Sequence, residues 1–188
     1  LLSFSYGYGK VFIVPHEKIG NQMQGGVFEL PIPTFSTGVM RGRFNPGDGQ
    51  LYACGLSAWG SAQPELGGFY RIRYNGEKTI VPLSLHVFPN GIRIKFSHEL
   101  NKNNVEDITS YQVQTWDLKR SRKYGSDHYN TKPLIVKNAT LSKDRKEIFL
   151  NIMDVKPTNV MEVKFQFLDD TGKPVKGLIQ NTINQIGK

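Results

Sequence analysis

Residues 161–167 read Met161-Glu162-Val163-Lys164-Phe165-Gln166-Phe167, apolar and polar side chains in strict alternation. A period of two marks a strand with one face against a core and the other toward water. Asp169-Asp170-Thr171-Gly172-Lys173-Pro174 follows and reads as the turn that closes a hairpin. Upstream, Ile92-Arg93-Ile94-Lys95-Phe96 alternates as cleanly, entered through the turn Pro89-Asn90-Gly91. Across the 188 residues no apolar pattern of period 3.6 is sustained. Short runs of Val, Ile, Phe and Tyr recur instead between clusters of Gly, Pro, Asn and Asp, with nineteen glycines and ten prolines to supply the turns. The chain therefore reads as all-β.

Working outward, the spacing predicts strands over 79–88, 92–96, 111–116, 134–140, 147–152 and 160–167, with a short helical turn over 103–110. About seven strands in a little over a hundred residues is the size of an immunoglobulin-like β-sandwich. The polar turn Asn75-Gly76-Glu77-Lys78 is taken as the boundary, giving an N-terminal region of residues 1–75 and a sandwich of residues 76–188. In the N-terminal region, strands are predicted over 10–15, 26–31, 38–44, 50–56 and 68–74. Asn45-Pro46-Gly47-Asp48-Gly49 forms a hairpin turn between two of them. In the last, Phe69, Arg71 and Arg73 fall on one face and Tyr70, Ile72 and Tyr74 on the other. Four or five short strands joined by tight turns make one β-propeller blade. A lone blade exposes both apolar faces, so the expectation is that the protein extends upstream of Leu1.

Composition places the chain among globular proteins, at 38% hydrophobic and 21% charged residues. No apolar run is long enough for a membrane-spanning helix, and Leu1-Leu2-Ser3-Phe4 lacks the features of a signal peptide. The net charge of +8 is uneven: eighteen Lys and Arg against twelve Asp and Glu lie from Gly76 onward. Lys119-Arg120-Ser121-Arg122-Lys123 carries much of that excess and reads either as a solvated loop or as a polyanion contact. Cys54, the only cysteine, lies in the apolar run Leu51-Tyr52-Ala53-Cys54-Gly55-Leu56 and is expected to be buried. His16, His86, His98 and His128 show no metal-ligand spacing, and no nucleotide loop or hydrolase motif is present.

Three stretches carry a resemblance: Gly38-Val39-Met40-Arg41-Gly42-Arg43-Phe44, Asn45-Pro46-Gly47-Asp48-Gly49-Gln50-Leu51-Tyr52 and Phe69-Tyr70-Arg71-Ile72-Arg73-Tyr74. Together they resemble the closing blade of glucose/sorbosone dehydrogenase-like, quinoprotein-type β-propellers. The likeness is to large secreted proteins of environmental bacteria, often fused to c-type cytochrome domains. Tyr111-Gln112-Val113-Gln114-Thr115-Trp116 with Lys123-Tyr124-Gly125-Ser126 resembles their C-terminal module, and Asn90-Gly91-Ile92-Arg93-Ile94-Lys95-Phe96-Ser97 resembles the opening of bacterial Ig-like modules.

The resemblance implies a terminal β-propeller blade followed by an Ig-like sandwich, in a secreted, periplasmic or cell-surface protein. It implies that the parent is a sugar or alcohol dehydrogenase whose pyrroloquinoline quinone and calcium, or haem c, lie outside this fragment. Its partners would be the upstream blades, and further a polysaccharide or a cell-surface protein. In that family an Arg-x-Arg pair on the last blade holds the quinone carboxylates, which maps to Arg41 and Arg43. A preceding lysine maps to Lys18, although the segment 16–25 is longer than the family's turn. The alternative for the arginines is pairing with carboxylates of an adjacent blade. The catalytic base of such enzymes lies in an earlier blade, so this fragment is expected to be non-catalytic.

One constellation remains in the sandwich region: Trp116, Tyr124, His128 and Tyr129 around the basic run. Aromatics beside basic groups stack on sugar rings or on bases, so Trp116, Tyr124 and Tyr129 are substrate-binding candidates. The alternative is that Trp116 ends a strand inside the sandwich while the tyrosines pin a loop. The alternative to the dehydrogenase parent is a polysaccharide- or partner-binding cell-surface module with no enzymatic parent, and nucleic acid is a weaker reading of the same cluster.

Overall fold

The computed structural model describes residues 1–187, which form fifteen strands and one short helix. In chain order these are β1 (Leu2–Ser5), β2 (Lys10–Ile13), β3 (His16–Ile19), β4 (Gln22–Glu29), β5 (Val39–Phe44), β6 (Leu51–Leu56), β7 (Gly67–Ile72), β8 (Pro82–Phe88) and β9 (Gly91–Phe96). Helix α1 (Lys102–Val105) follows, and then β10 (Tyr111–Asp117), β11 (Tyr129–Leu134), β12 (Val136–Leu141), β13 (Glu147–Ile152), β14 (Thr158–Leu168) and β15 (Pro174–Ile183). The chain is all-β.

Two compact units divide it. One comprises Leu1–Ile13 and Glu29–Lys78, the other Val14–Phe28 and Thr79–Lys188. The chain thus changes unit near the expected boundary at 75–78, but the β3–β4 hairpin, expected in the N-terminal region, packs with the second unit. Its reason is local. Strand β4 pairs antiparallel with β15, Phe28 opposite Ile179, and Phe28 stacks on Phe165 with ring centroids 6.1 Å apart. Gly177 makes room for that stack, since a Cβ there would strike both rings.

The second unit is β-sandwich-like. One sheet runs β4-β15-β14-β10-β11, with β3 paired to β4, and the other runs β12-β13-β9-β8. Phe96 of β9 meets Phe165 and Phe167 of β14 edge to face, at 5.5 and 5.9 Å. Around them Ile92, Ile94, Ile148, Leu150, Ile152, Met161, Val163 and Ile179 are fully buried. The alternation that marks β9 and β14 is therefore a core-facing alternation on two facing sheets. The helical turn expected over 103–110 is split into α1 and a 3-10 turn at Ile108–Ser110. Asn101 and Asp107 cap them by accepting from the Asn103 and Thr109 backbone N–H groups. Tyr111 donates from its hydroxyl to the Val105 carbonyl at 2.7 Å, tying the turn to β10.

The first unit holds the β1–β2 hairpin and a three-stranded meander β5-β6-β7. The expected hairpin turn closes, with Asn45 N–H donating to the Gln50 carbonyl and Gly49 at φ 68°. Two expectations change. The strand expected over 26–31 is largely β4 of the other unit, so the meander has three strands. Cys54 is exposed, because β6 turns Leu51 and Ala53 inward and Tyr52 and Cys54 outward. Val11, Val39, Leu51 and Ala53 are this unit's buried apolar side chains among the described residues. Nine large ones are exposed there, including Phe44, Trp59, Leu66 and Phe69.

Candidate functional site

The hairpin loop between β10 and β11 carries the basic run, and its base is built from Trp116. Regular pairing of β10 with β14 sets Trp116 opposite Val160, two residues along from Gln114 opposite Glu162. The pleat therefore turns Trp116 away from Tyr111 and Val113, which face the core. It is nonetheless only 3% exposed, because His128 folds over it with the rings 4.1 Å apart and 14° from parallel. The Trp116 ring is thus covered, and it anchors the loop instead of offering a free stacking surface.

Further bonds hold the loop ends. Leu118 N–H donates to Asn159 Oδ1 and Lys119 N–H to Ser126 Oγ, both at 2.9 Å, and Asn130 Nδ2 donates to Asp117 Oδ2. Lys119 Nζ lies 4.1 Å from the centre of the Tyr129 ring, a cation–π contact that leaves Tyr129 half-buried. Tyr124, by contrast, is fully exposed and pins nothing. Among the loop cations, Lys123 pairs with Asp127 at 3.7 Å, while Lys119, Arg120 and Arg122 have no carboxylate partner among the described residues. The result is a seated loop with an exposed cationic and phenolic tip.

Arg41 and Arg43 lie on β5, both exposed and on one face, as their spacing implies. Arg43 donates to the Gly42 carbonyl at 2.8 Å, and neither arginine forms an ion pair among the described residues. Two such guanidiniums suit carboxylates. Lys18 is exposed on β3, in the second compact unit, whereas the arginines belong to the first.

Two clusters are not visible in the sequence. In the first, Glu17 turns inward from β3 to accept from Gln24 Nε2 at 2.6 Å and from the Val87 N–H at 3.2 Å, with His86 Nδ1 at 3.3 Å. Gln24, itself buried, accepts at Oε1 from the Asn184 and Gln185 N–H groups. In the second, Gln112, Gln114, Glu162 and Lys164 line a cleft of about 390 Å³ beside β11. Burial raises the Glu162 pKa, but hydrogen bonds from Gln180, Gln114 and Lys164 outweigh it and hold the carboxyl below its ordinary value. Glu162 is therefore a satisfied acceptor and not a proton donor near neutral pH.

Among the described residues no group of three His, Cys, Asp or Glu side chains is arranged to hold a metal ion. No described helix is long and apolar enough to cross a membrane. Comparisons with family models, with curated proteins and with solved structures give no match to this chain.

Proposed function

We propose that this chain is the non-catalytic, binding end of a secreted propeller-type dehydrogenase-like protein. In this reading the first unit is a terminal blade and the second an Ig-like module that docks through the 118–128 loop onto acidic polysaccharide. The oxidoreductase chemistry, with its pyrroloquinoline quinone and calcium or haem c, belongs to the rest of that parent. The observation that carries the reading is the loop itself. Trp116 and His128 seat it, Lys119 lies over the Tyr129 ring, and Arg120, Arg122 and Tyr124 then project, the arginines without carboxylate partners among the described residues. Long loops on rigid sandwiches commonly carry recognition. Guanidinium and ammonium groups beside a phenol suit uronate or sulfate groups on a sugar ring.

Affinity electrophoresis through gels containing alginate, heparin or neutral dextran tests it. The chain is expected to be retarded by the acidic polymers and not by dextran. Replacing Arg120, Arg122 and Tyr124 by alanine should abolish the retardation with the fold intact, since none of the three packs into the sandwich. Absence of retardation on every polymer overturns the docking reading. Turnover of glucose by this chain with added quinone and calcium overturns the non-catalytic one.

A further inference from the structure

The two faces of the β5-β6-β7 meander are unlike. Leu51 and Ala53 are buried on one face, where Tyr70 also bonds to Thr37 through its hydroxyl. The other face is uncovered and is built as two cross-strand rows. Arg41, Cys54 and Phe69 pair across β5, β6 and β7 in the first row, and Arg43, Tyr52 and Arg71 in the second. Side chains that pair across strands share a face. Tyr52 and Phe69 stack diagonally between the rows, 5.7 Å apart and 28° from parallel, and Phe69 is 73% exposed. The apolar patch of Tyr52, Cys54 and Phe69 thus runs from the middle strand to β7, with Arg41 and Arg43 beside it on β5 and Arg71 next to Phe69 on β7, the two arginine-bearing strands roughly 10 Å apart across two strand spacings.

No ion pair engages Arg41, Arg43 or Arg71 among the described residues. The nearby acid, Asp48, is committed elsewhere: it accepts from the Gln50 N–H at 2.9 Å and the Tyr52 hydroxyl at 2.7 Å. Those two hydrogen bonds, in that order, hold its pKa low, and Arg71 adds only a weaker attraction. The three exposed guanidiniums are thus free to fork carboxylates that a ligand brings.

We infer that this face is the seat of a protein partner whose surface is apolar at its centre and carries carboxylates on either side. Charge excludes a second copy, because a facing copy would set arginines against arginines. A single-stranded nucleic acid fits less well. Tyr52 and Phe69 are stacked on each other, and the Tyr52 hydroxyl holds the Asp48 carboxylate on the face where a phosphate would run. A partner strand alternating acidic and apolar residues meets both features, its apolar side chains on the Tyr52–Phe69 band and its carboxylates forked by the arginines. The inference concerns the first unit alone, so it can fail while the polysaccharide reading of the second unit succeeds, and the reverse.

Cys54, the only cysteine, sits in the middle of the face and reports its occupancy. The experiment follows the rate of maleimide labelling of the full chain with millimolar pentapeptides of alternating Glu and Phe, of alternating Lys and Phe, or with an oligothymidylate. The acidic peptide is expected to slow labelling several-fold, the basic one to leave it unchanged, and half-molar NaCl to weaken the protection. In an Arg41→Glu, Arg71→Glu variant the preference should reverse toward the basic peptide. An Arg41→Gln, Arg71→Gln variant should lose the preference without reversing it. Equal protection by both peptides, no protection by either, or protection by the oligothymidylate alone overturns the inference.

Discussion

Trp116 is the residue on which the loop reading turns, and the chain's other tryptophan gives it an internal control. Trp59 is 94% exposed and Trp116 3% exposed, so the two indoles report opposite environments. Acrylamide quenching is expected to resolve one accessible and one protected component, and His128→Ala to raise the accessibility of the protected one. Trp116→Ala should cost about 3–5 kcal/mol in denaturant unfolding, the usual range for removing a large buried aromatic. A second residue-scale expectation concerns acid. Glu162 has a folded pKa below its ordinary 4.5, since the donors Gln180, Gln114 and Lys164 outweigh the burial that would raise it. Its ionised form therefore stabilises the fold above that pH, and the contribution is lost as pH falls through the lower folded value. Glu162→Gln should flatten the decline of the thermal midpoint between about pH 5 and 3 relative to wild type. Asp154, held at about 2 by hydrogen bonds from Lys132 and Lys156, loses its contribution as pH falls from its ordinary 3.8 toward that value, so it adds to the decline in wild type and variant alike and cancels from the comparison.

Among the elements, the β3–β4 hairpin shows how a short strand is fixed by polar bonds as much as by pairing. Gln24 alone ties β4 to Glu17 and to the backbone of Asn184 and Gln185. Gln24→Leu takes the acceptor from the Asn184 and Gln185 N–H groups, and a loss of about 1–3 kcal/mol is expected, two hydrogen bonds at about 0.5–1.5 kcal/mol each. Hydrogen exchange checks this: the Asn184 and Gln185 amides should lose protection more than those of β9 or β13. The same element marks where the sequence becomes opaque. Strands β9 and β14 are legible because their inward residues are all large and apolar. Strand β3 reads as loop because its inward residue is Glu17, whose partners are more than sixty residues away in the case of His86 and Val87. Strand β15 is signalled only by the hairpin turn before it, because its inward positions include Gly177 and Asn181, which break the alternation. The side of its strand that Cys54 takes is equally hidden, since Leu51-Tyr52-Ala53-Cys54 is apolar throughout and only an uncovered face distinguishes the outward pair. The Arg41–Arg43 spacing is readable, whereas Arg71 and Phe69 join that face only through the β6–β7 register.

At the level of the whole molecule, the two units differ in how much of their apolar surface is covered. The first buries Val11, Val39, Leu51 and Ala53, against nine exposed large apolar side chains, while the second closes Phe96, Phe165 and Phe167 inside two sheets. Burial contributes roughly 25 cal/mol per Å² of apolar surface, and each ordered residue costs about 1–2 kcal/mol of backbone entropy. Four mostly small buried side chains cannot offset the ordering of so many residues. A fragment spanning 1–78 is therefore expected to be unfolded, with little amide dispersion in its NMR spectrum. A fragment spanning 79–188 retains both facing sheets and should fold, but it lacks the hairpin 14–28. Strand β15 then becomes an open edge, and the Phe165 ring loses Phe28. Burying a Phe side chain stabilises by about 1.5–3 kcal/mol, so a deficit of at least that size is expected in the unfolding free energy of 79–188 relative to the full chain. Joining residues 14–28 ahead of 79 through a flexible linker should restore most of it. Equal stability of 79–188 with and without the hairpin would show that β4 contributes pairing to β15 and nothing to the core. A folded 1–78 would show that its uncovered sheet face needs no partner to persist.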